Sequence, residues 1–354
     1  MSLANYSYSN PSQLLQRNAS LFTDKNILVA GNIDDDYPIH LQTLALSSTF
    51  CFSDYRYYSR LSSQLTSSQV YFTAHYQGDE NQADKKFDLL LIFLPKAKKE
   101  TQYLLASLTP HLQQGASIIL VGEKKCGIKS AHTLLAPYSS AVNNIDSARH
   151  CGILYSELNQ RVAPFEQSAW IKTYPININH IELQICSLPG VFSYGELDKG
   201  TQLLLENLPE KISGSVLDFG CGAGVIACYM HKKHPHLEID LVDINAYALE
   251  SARLSLIKNN LKGKVFPSDV FSQVSKKYNL LLSNPPFHSG KQTDYVAAET
   301  FINQAPDYLL EGGKLSLVAN KFLNYEPLLN KAFPVLQITQ ENNKFKILTC
   351  IKKQ

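Results

Sequence analysis

The chain alternates short apolar runs with longer mixed stretches, and the apolar runs end at glycine or proline. In the C-terminal part, Val216–Phe219, Glu238–Val242, Tyr278–Ser283 and Lys314–Ala319 are strand-like runs, and an amphipathic stretch from Ala246 to Asn260 lies between the second and third. Strands of this length separated by helices predict a parallel sheet with crossover connections. The N-terminal part has the same pattern, with Asn26–Ala30 before Gly31, Phe87–Leu94 before Pro95, and Ala116–Val121 after Gly115. Between them, the alternation from Ile178 to Ile185 predicts a β-hairpin.

The two halves align on themselves. Asn26–Gly31 falls on Ser215–Gly220, Phe87–Pro95 on Tyr278–Pro286, and Leu112–Gly115 on Leu310–Gly313, at offsets of 189, 191 and 198 residues. Three landmarks in one order at nearly one spacing predict a duplicated α/β domain. The expected division is 1–160 and 161–354, with the hairpin leading the second domain. A chain of 354 residues is long enough for two such cores.

Composition adds a distinction that the total conceals. The net charge is +2, which disfavours a polyelectrolyte coating mode. By segment, residues 1–150 carry 13 basic and 12 acidic groups, 151–250 carry 6 and 12, and 251–354 carry 14 and 7. The last segment is net +7 and suits an anionic partner. Seven scattered cysteines without a C-x-x-C pair fit neither a disulfide framework nor a zinc ribbon, and no metal site is expected. The polar start and the lack of a long apolar run predict a cytoplasmic protein with no membrane segment.

Two loops carry the candidate chemistry. Asp218-Phe-Gly-Cys-Gly-Ala-Gly224 follows a strand and precedes a helix. Gly220, Gly222 and Gly224 allow a tight turn and close approach of backbone to ligand, and the helix N-terminus adds positive potential. The dinucleotide fingerprint needs glycine where Val225 stands, which disfavours a nicotinamide enzyme. Asp243, at the end of the next strand, is placed to accept ribose hydroxyls. This combination resembles the class I S-adenosylmethionine-dependent methyltransferases. The resemblance implies S-adenosylmethionine as cofactor, with Asp218 to Gly224 beside its methionine part, Asp243 on its ribose and Asp269 beside its adenine.

The second loop is Ser283-Asn-Pro-Pro-Phe-His-Ser-Gly290. Its prolines end a strand and stiffen the loop at the edge where open α/β sheets bind ligands. A conjugated amino group is a poor nucleophile until it is held and desolvated. The Asn284 side-chain oxygen and the Pro285 carbonyl can each accept one of its N–H groups, and Phe287 can stack on the attached ring. His288 reads as a packing residue rather than a base. The loop itself leaves adenine N6 in nucleic acid, glutamine amide in protein and guanine N2 in RNA open.

A longer set of matches narrows this. Asn284–Gly290, Leu188–Ser193, Leu197-Asp-Lys-Gly200, Val121–Glu123 and Asp146–Arg149 together resemble the bacterial small-subunit ribosomal RNA guanine-N2 methyltransferases over nearly the whole chain. Ser289 stands where relatives are expected to have an acid. The resemblance implies methylation of a guanine in 16S rRNA on the 30S subunit by a monomer. The large-subunit guanine-N2 enzymes are the alternative, with protein glutamine and DNA adenine methyltransferases further behind.

In the first domain, Val29-Ala-Gly-Asn-Ile-Asp-Asp35 replaces the glycine loop and Phe93-Leu-Pro95 replaces Asn284-Pro-Pro286. That domain is expected to be degenerate and to bind no cofactor. Lys96, Lys98, Lys99, Lys124, Lys125 and Lys129 follow two of its strands and could contact RNA phosphates. Tyr55, Tyr57 and Tyr58 read as packing residues.

Overall fold

The protein is described from a computed structural model covering residues 8–78, 86–209, 211–285 and 292–353. It divides into two compact units, Met1–Trp170 and Ile171–Gln354. The division lies ten residues beyond the expected 160/161. The rings of Phe165 and Trp170 stand edge-on to Tyr103 at 5.4 and 5.7 Å, and Val162 packs on the first core, which holds residues 161–170 with the first unit.

The first unit contains β1 (Asn26–Gly31), β2 (Ser47–Phe52), β3 (Ser68–Phe72), β4 (Phe87–Phe93), β5 (Leu112–Glu123), β6 (Val142–Ala148) and β7 (Cys151–Glu157), in the order β3-β2-β1-β4-β5-β7-β6. The second opens with β8 (Lys172–Ile178) and β9 (Ile181–Ser187). Its large sheet contains β10 (Ser215–Phe219), β11 (Glu238–Asp243), β12 (Lys264–Pro267), β13 (Tyr278–Ser283), β14 (Leu309–Asn320), β15 (Val335–Glu341) and β16 (Phe345–Ile351), in the order β12-β11-β10-β13-β14-β16-β15. Position for position the two orders are the same. In each, five parallel strands are extended by an antiparallel pair. The near-continuous apolar runs arise because helices cover both faces of a parallel sheet, and Leu28, Val29, Val216 and Leu217 are fully buried.

β8 and β9 pair antiparallel through a turn in which Asn179 and His180 both have positive φ, the geometry a two-residue hairpin needs. The free edge of β9 is satisfied by side chains from the helix Ala246–Lys258 and its C-cap Asn259. Ser251, Ser255 and Asn259, four residues apart on one helical face, accept the backbone N–H groups of Leu188, Cys186 and Gln184 at 2.9–3.0 Å. This ladder fixes where the segment after the hairpin starts within the second unit.

In the second unit, β10 is flanked by β11 on one side and β13 on the other. The connections diverge there, and a crevice opens at the C-terminal ends of these strands.

Candidate active site

The three loop glycines have distinct tasks. All have positive φ, +69°, +52° and +78° for Gly220, Gly222 and Gly224, so none is replaceable without strain. A Cβ on Gly224 would lie 3.1 Å from the backbone of Ala252, so this glycine permits close packing of loop on helix. Cβ atoms on Gly220 and Gly222 would meet nothing within 4 Å. They face a cavity of about 290 Å³ and line it. The N–H groups of Gly220 and Cys221 both donate to the Val242 carbonyl, which ties the loop to β11.

Asp218 stands differently from its expected role beside the ligand. Its side chain is fully buried behind the loop, where one oxygen accepts the Ala227 N–H at 3.0 Å in the first turn of the helix Val225–Lys233. The other oxygen has no partner among the described residues. Burial pushes its pKa up to about 7, with the Asp243 charge adding to the rise. Asp218 and Gly224 are thus supports of the loop rather than cavity wall. Cys221 is also buried, which pushes its thiol well above the usual range and keeps it protonated and inert.

Asp243 does line the cavity. Its two oxygens accept the N–H groups of Gly222 and Asn245, both at 2.9 Å, so the carboxylate is oriented before any ligand arrives. Asp269 lines the same cavity, next to Val270. Val270 has φ +49°, a costly conformation for a β-branched residue, on the order of 1–3 kcal/mol. Ser268 Oγ holds it by donating to the Val270 carbonyl at 2.8 Å.

Asn284 and Pro285 follow β13 and form another wall. The Asn284 amide donates from Nδ2 to Asp198 Oδ2 and to Thr201 Oγ1, each at 2.8 Å. The apolar floor is Phe219 stacked on Phe301 at 3.9 Å between ring centres. Phe287 and His288 lie outside the described residues.

The structure therefore gathers Gly220, Gly222, Asp243, Asp269, Asn284 and Pro285 around one cavity. Sequence reasoning missed Gly190, Val191 and Phe192, which follow the hairpin and close one side. Their signal is the Leu188–Ser193 run, which carries the family resemblance but no assigned role. Phe301 had no local signal. Among the described residues, no cluster of three or more His, Cys, Asp or Glu is placed to hold a metal, and no helix is long and apolar enough to cross a membrane. None of the seven cysteines is in a disulfide.

In the first unit the corresponding edge is filled. Ile33, Tyr37 and Phe93 are 0–4% exposed there. A Cβ on Gly31 would lie 2.1 Å from the Phe93 carbonyl oxygen, and Asp35 accepts the N–H groups of Ser9 and Tyr37. Lys96, Lys98, Lys99, Lys124, Lys125 and Lys129 are exposed after the adjacent strands β4 and β5, with Lys125 paired to Glu123. Tyr55 and Tyr58 pack on Phe72, and Arg56 and Arg60 lie over Tyr57.

Residues 182–349 match the Methyltransferase small domain family, and residues 12–174 match the Methyltransferase small domain N-terminal family. The chain is 72% identical over 353 residues to ribosomal RNA small subunit methyltransferase C of Psychromonas ingrahamii, covering 100% of both chains. It is 45% identical over 340 residues to the protein of the same name from Vibrio vulnificus, covering 96% of this chain and 98% of that one. Among solved structures, the T. thermophilus 16S rRNA N2 G1207 methyltransferase, in complex with AdoMet and guanosine, superposes with a TM-score of 0.82 at 23% identity, over 99% of this chain and 94% of that one. That likeness shows the fold.

Proposed function

The chain belongs to the ribosomal RNA small subunit methyltransferase C family, and from that premise we propose that it transfers a methyl group from S-adenosylmethionine to N2 of one guanine in 16S rRNA within the 30S subunit. The target by analogy is the position numbered 1207 in the name of the Thermus relative. The observation that carries this reading is one cavity shared by the glycine loop with Asp243 on one side and Asn284-Pro285 on another.

The residues present fit the cofactor. The open space before Gly220 and Gly222 admits a ligand against bare backbone, Asp243 is oriented for a ribose diol, and Asp269 with Val270 bounds the pocket for a flat ring. When bound, S-adenosylmethionine supplies a methyl group on a cationic sulfur. Asn284 Oδ1 and the Pro285 carbonyl accept the two N–H bonds of the guanine amine and aim its lone pair along the carbon–sulfur bond. As the N–C bond forms, the bound cofactor would take up the electron pair of the breaking carbon–sulfur bond. Positive charge grows on nitrogen against the two oxygens, which is where preorganised acceptors stabilise most. The surplus proton then passes to water. Strong base catalysis is not required, and the buried Cys221 thiol takes no part.

The test is transfer of labelled methyl onto 30S subunits lacking the modification, followed by mapping of the methylated base. Label in guanine N2 of 16S rRNA supports the reading. Label confined to 50S subunits, DNA or a protein glutamine would replace it with one of the alternatives.

A further inference from the structure

Leu197-Asp-Lys-Gly200 carries the family resemblance but no assigned role. In the structure it lies against Asn284. Asp198 caps the helix Lys199–Glu206, its Oδ2 accepting the Thr201 N–H at 2.8 Å. The same Oδ2 accepts one N–H of the Asn284 amide, and Thr201 Oγ1, on a side chain 7% exposed, accepts the other. A Cβ on Gly200 would lie 3.0 Å from Asp198 Oδ2 and 3.2 Å from the Phe345 ring, so glycine leaves the room in which this carboxylate sits.

We propose that Asp198 and Thr201 are positioning residues that lock the Asn284 amide with Oδ1 turned to the substrate amine. This rests on the functional reading above. An ionised carboxylate only accepts, so the amide edge facing Asp198 must be NH₂. With both N–H donors engaged, the oxygen is the atom left for the cavity that Asn284 lines. Without these partners the amide can turn over and present N–H groups to an N–H donor. The charge-assisted bond also polarises the amide and makes Oδ1 a better acceptor as charge grows on nitrogen.

The full-length chain, 30S subunits lacking the modification and labelled S-adenosylmethionine provide the test. D198N and T201V are each expected to lower kcat by about tenfold or more. Cofactor Kd by calorimetry should stay within about twofold, and T201S, which restores the hydroxyl, should recover kcat to within about threefold of wild type. Adding D198N to N284A should cost little further, because the amide it positions is gone. Independent multiplication of the two losses would overturn the proposal. So would wild-type kcat in T201V, or a T201V loss matched by weaker cofactor binding and a lower Tm. Should D198N lose its helix cap and fail to fold, the T201V and T201S pair decides alone. Wild-type transfer to an atom other than guanine N2 would instead overturn the functional reading, and the dependence of that transfer on T201V would still judge the positioning role.

Discussion

The two units have the same strand order, yet they treat the end of their first strand in opposite ways. In the second unit, β10 runs into three positive-φ glycines, and two of them face empty space. In the first, β1 runs into Gly31, which faces a carbonyl oxygen 2.1 Å from where its Cβ would be. Both positions need glycine, one to leave a cavity and the other to close one. The difference teaches that a shared sheet topology provides the crevice, while the side chains at the strand ends decide whether it stays open. Where Asn284-Pro285 borders the cavity, Phe93-Leu94 fills the first core.

The comparison can be broken most directly at the acceptor. Asn284→Ala is expected to lower kcat by roughly 10²–10³-fold, by analogy with removal of one preorganised polar group, with little change in cofactor affinity. Full activity in this variant on 30S subunits would remove the proposed distinction between the units.

The paired glycines come next. Gly31→Ala should destabilise the protein by about 2–4 kcal/mol, because it adds strain at φ +97° to a backbone clash. Its cofactor stoichiometry should remain one per chain. Gly222→Val should instead lose cofactor binding in calorimetry with less effect on stability. Two cofactors bound per wild-type chain would show that the first unit is not degenerate.

Asp218 sharpens the same contrast through pH. Its pKa is raised on folding, so the folded state holds a proton that the unfolded chain has released. Stability is therefore lost as pH rises from about 4 through about 7. Relative to wild type, Asp218→Asn should gain stability across that window, on the order of 1–3 kcal/mol, and the gap should level off above it. Thermal unfolding of both proteins from pH 5 to pH 8 measures the slope, and a gap independent of pH would contradict the burial argument.

The smallest effect is expected in the first unit's lysines. Replacing Lys96, Lys98, Lys99, Lys124, Lys125 and Lys129 by alanine should weaken binding to the 30S subunit about tenfold and flatten its salt dependence. Unchanged affinity and slope would make these lysines an ordinary solvated surface.

Much of the fold was legible because its signals are local. Apolar runs ending at glycine or proline marked the strands, their repetition marked the duplication, and the alternation from Ile178 to Ile185 marked the hairpin. The site was legible in part. The glycine loop, Asp243 and Asn284 stand at strand ends where chemistry was expected. The sequence does not report depth, since Asp218 and Gly224 lie within the motif but behind the cavity wall. Alternation along β10 turns Asp218 away from the cavity, and no motif reports that.

The unit boundary, the cavity wall from the post-hairpin segment and the orientation of Asn284 were decided by tertiary structure. Phe165 and Trp170 joined the first unit because Tyr103 offered a ring. Gly190 to Phe192 reached the cavity because Ser251, Ser255 and Asn259 hold the hairpin edge. Asp198 and Asn284 are 86 residues apart in sequence, and their hydrogen bond exists because the sheet brings the end of β13 to a helix cap. The sequence by itself determined which segments are strands and which residue types end them, since backbone sterics and hydrophobic period act over a few residues. Which of those ends encloses a cavity, and which atom of an amide faces into it, depended on contacts that only the packed sheet creates.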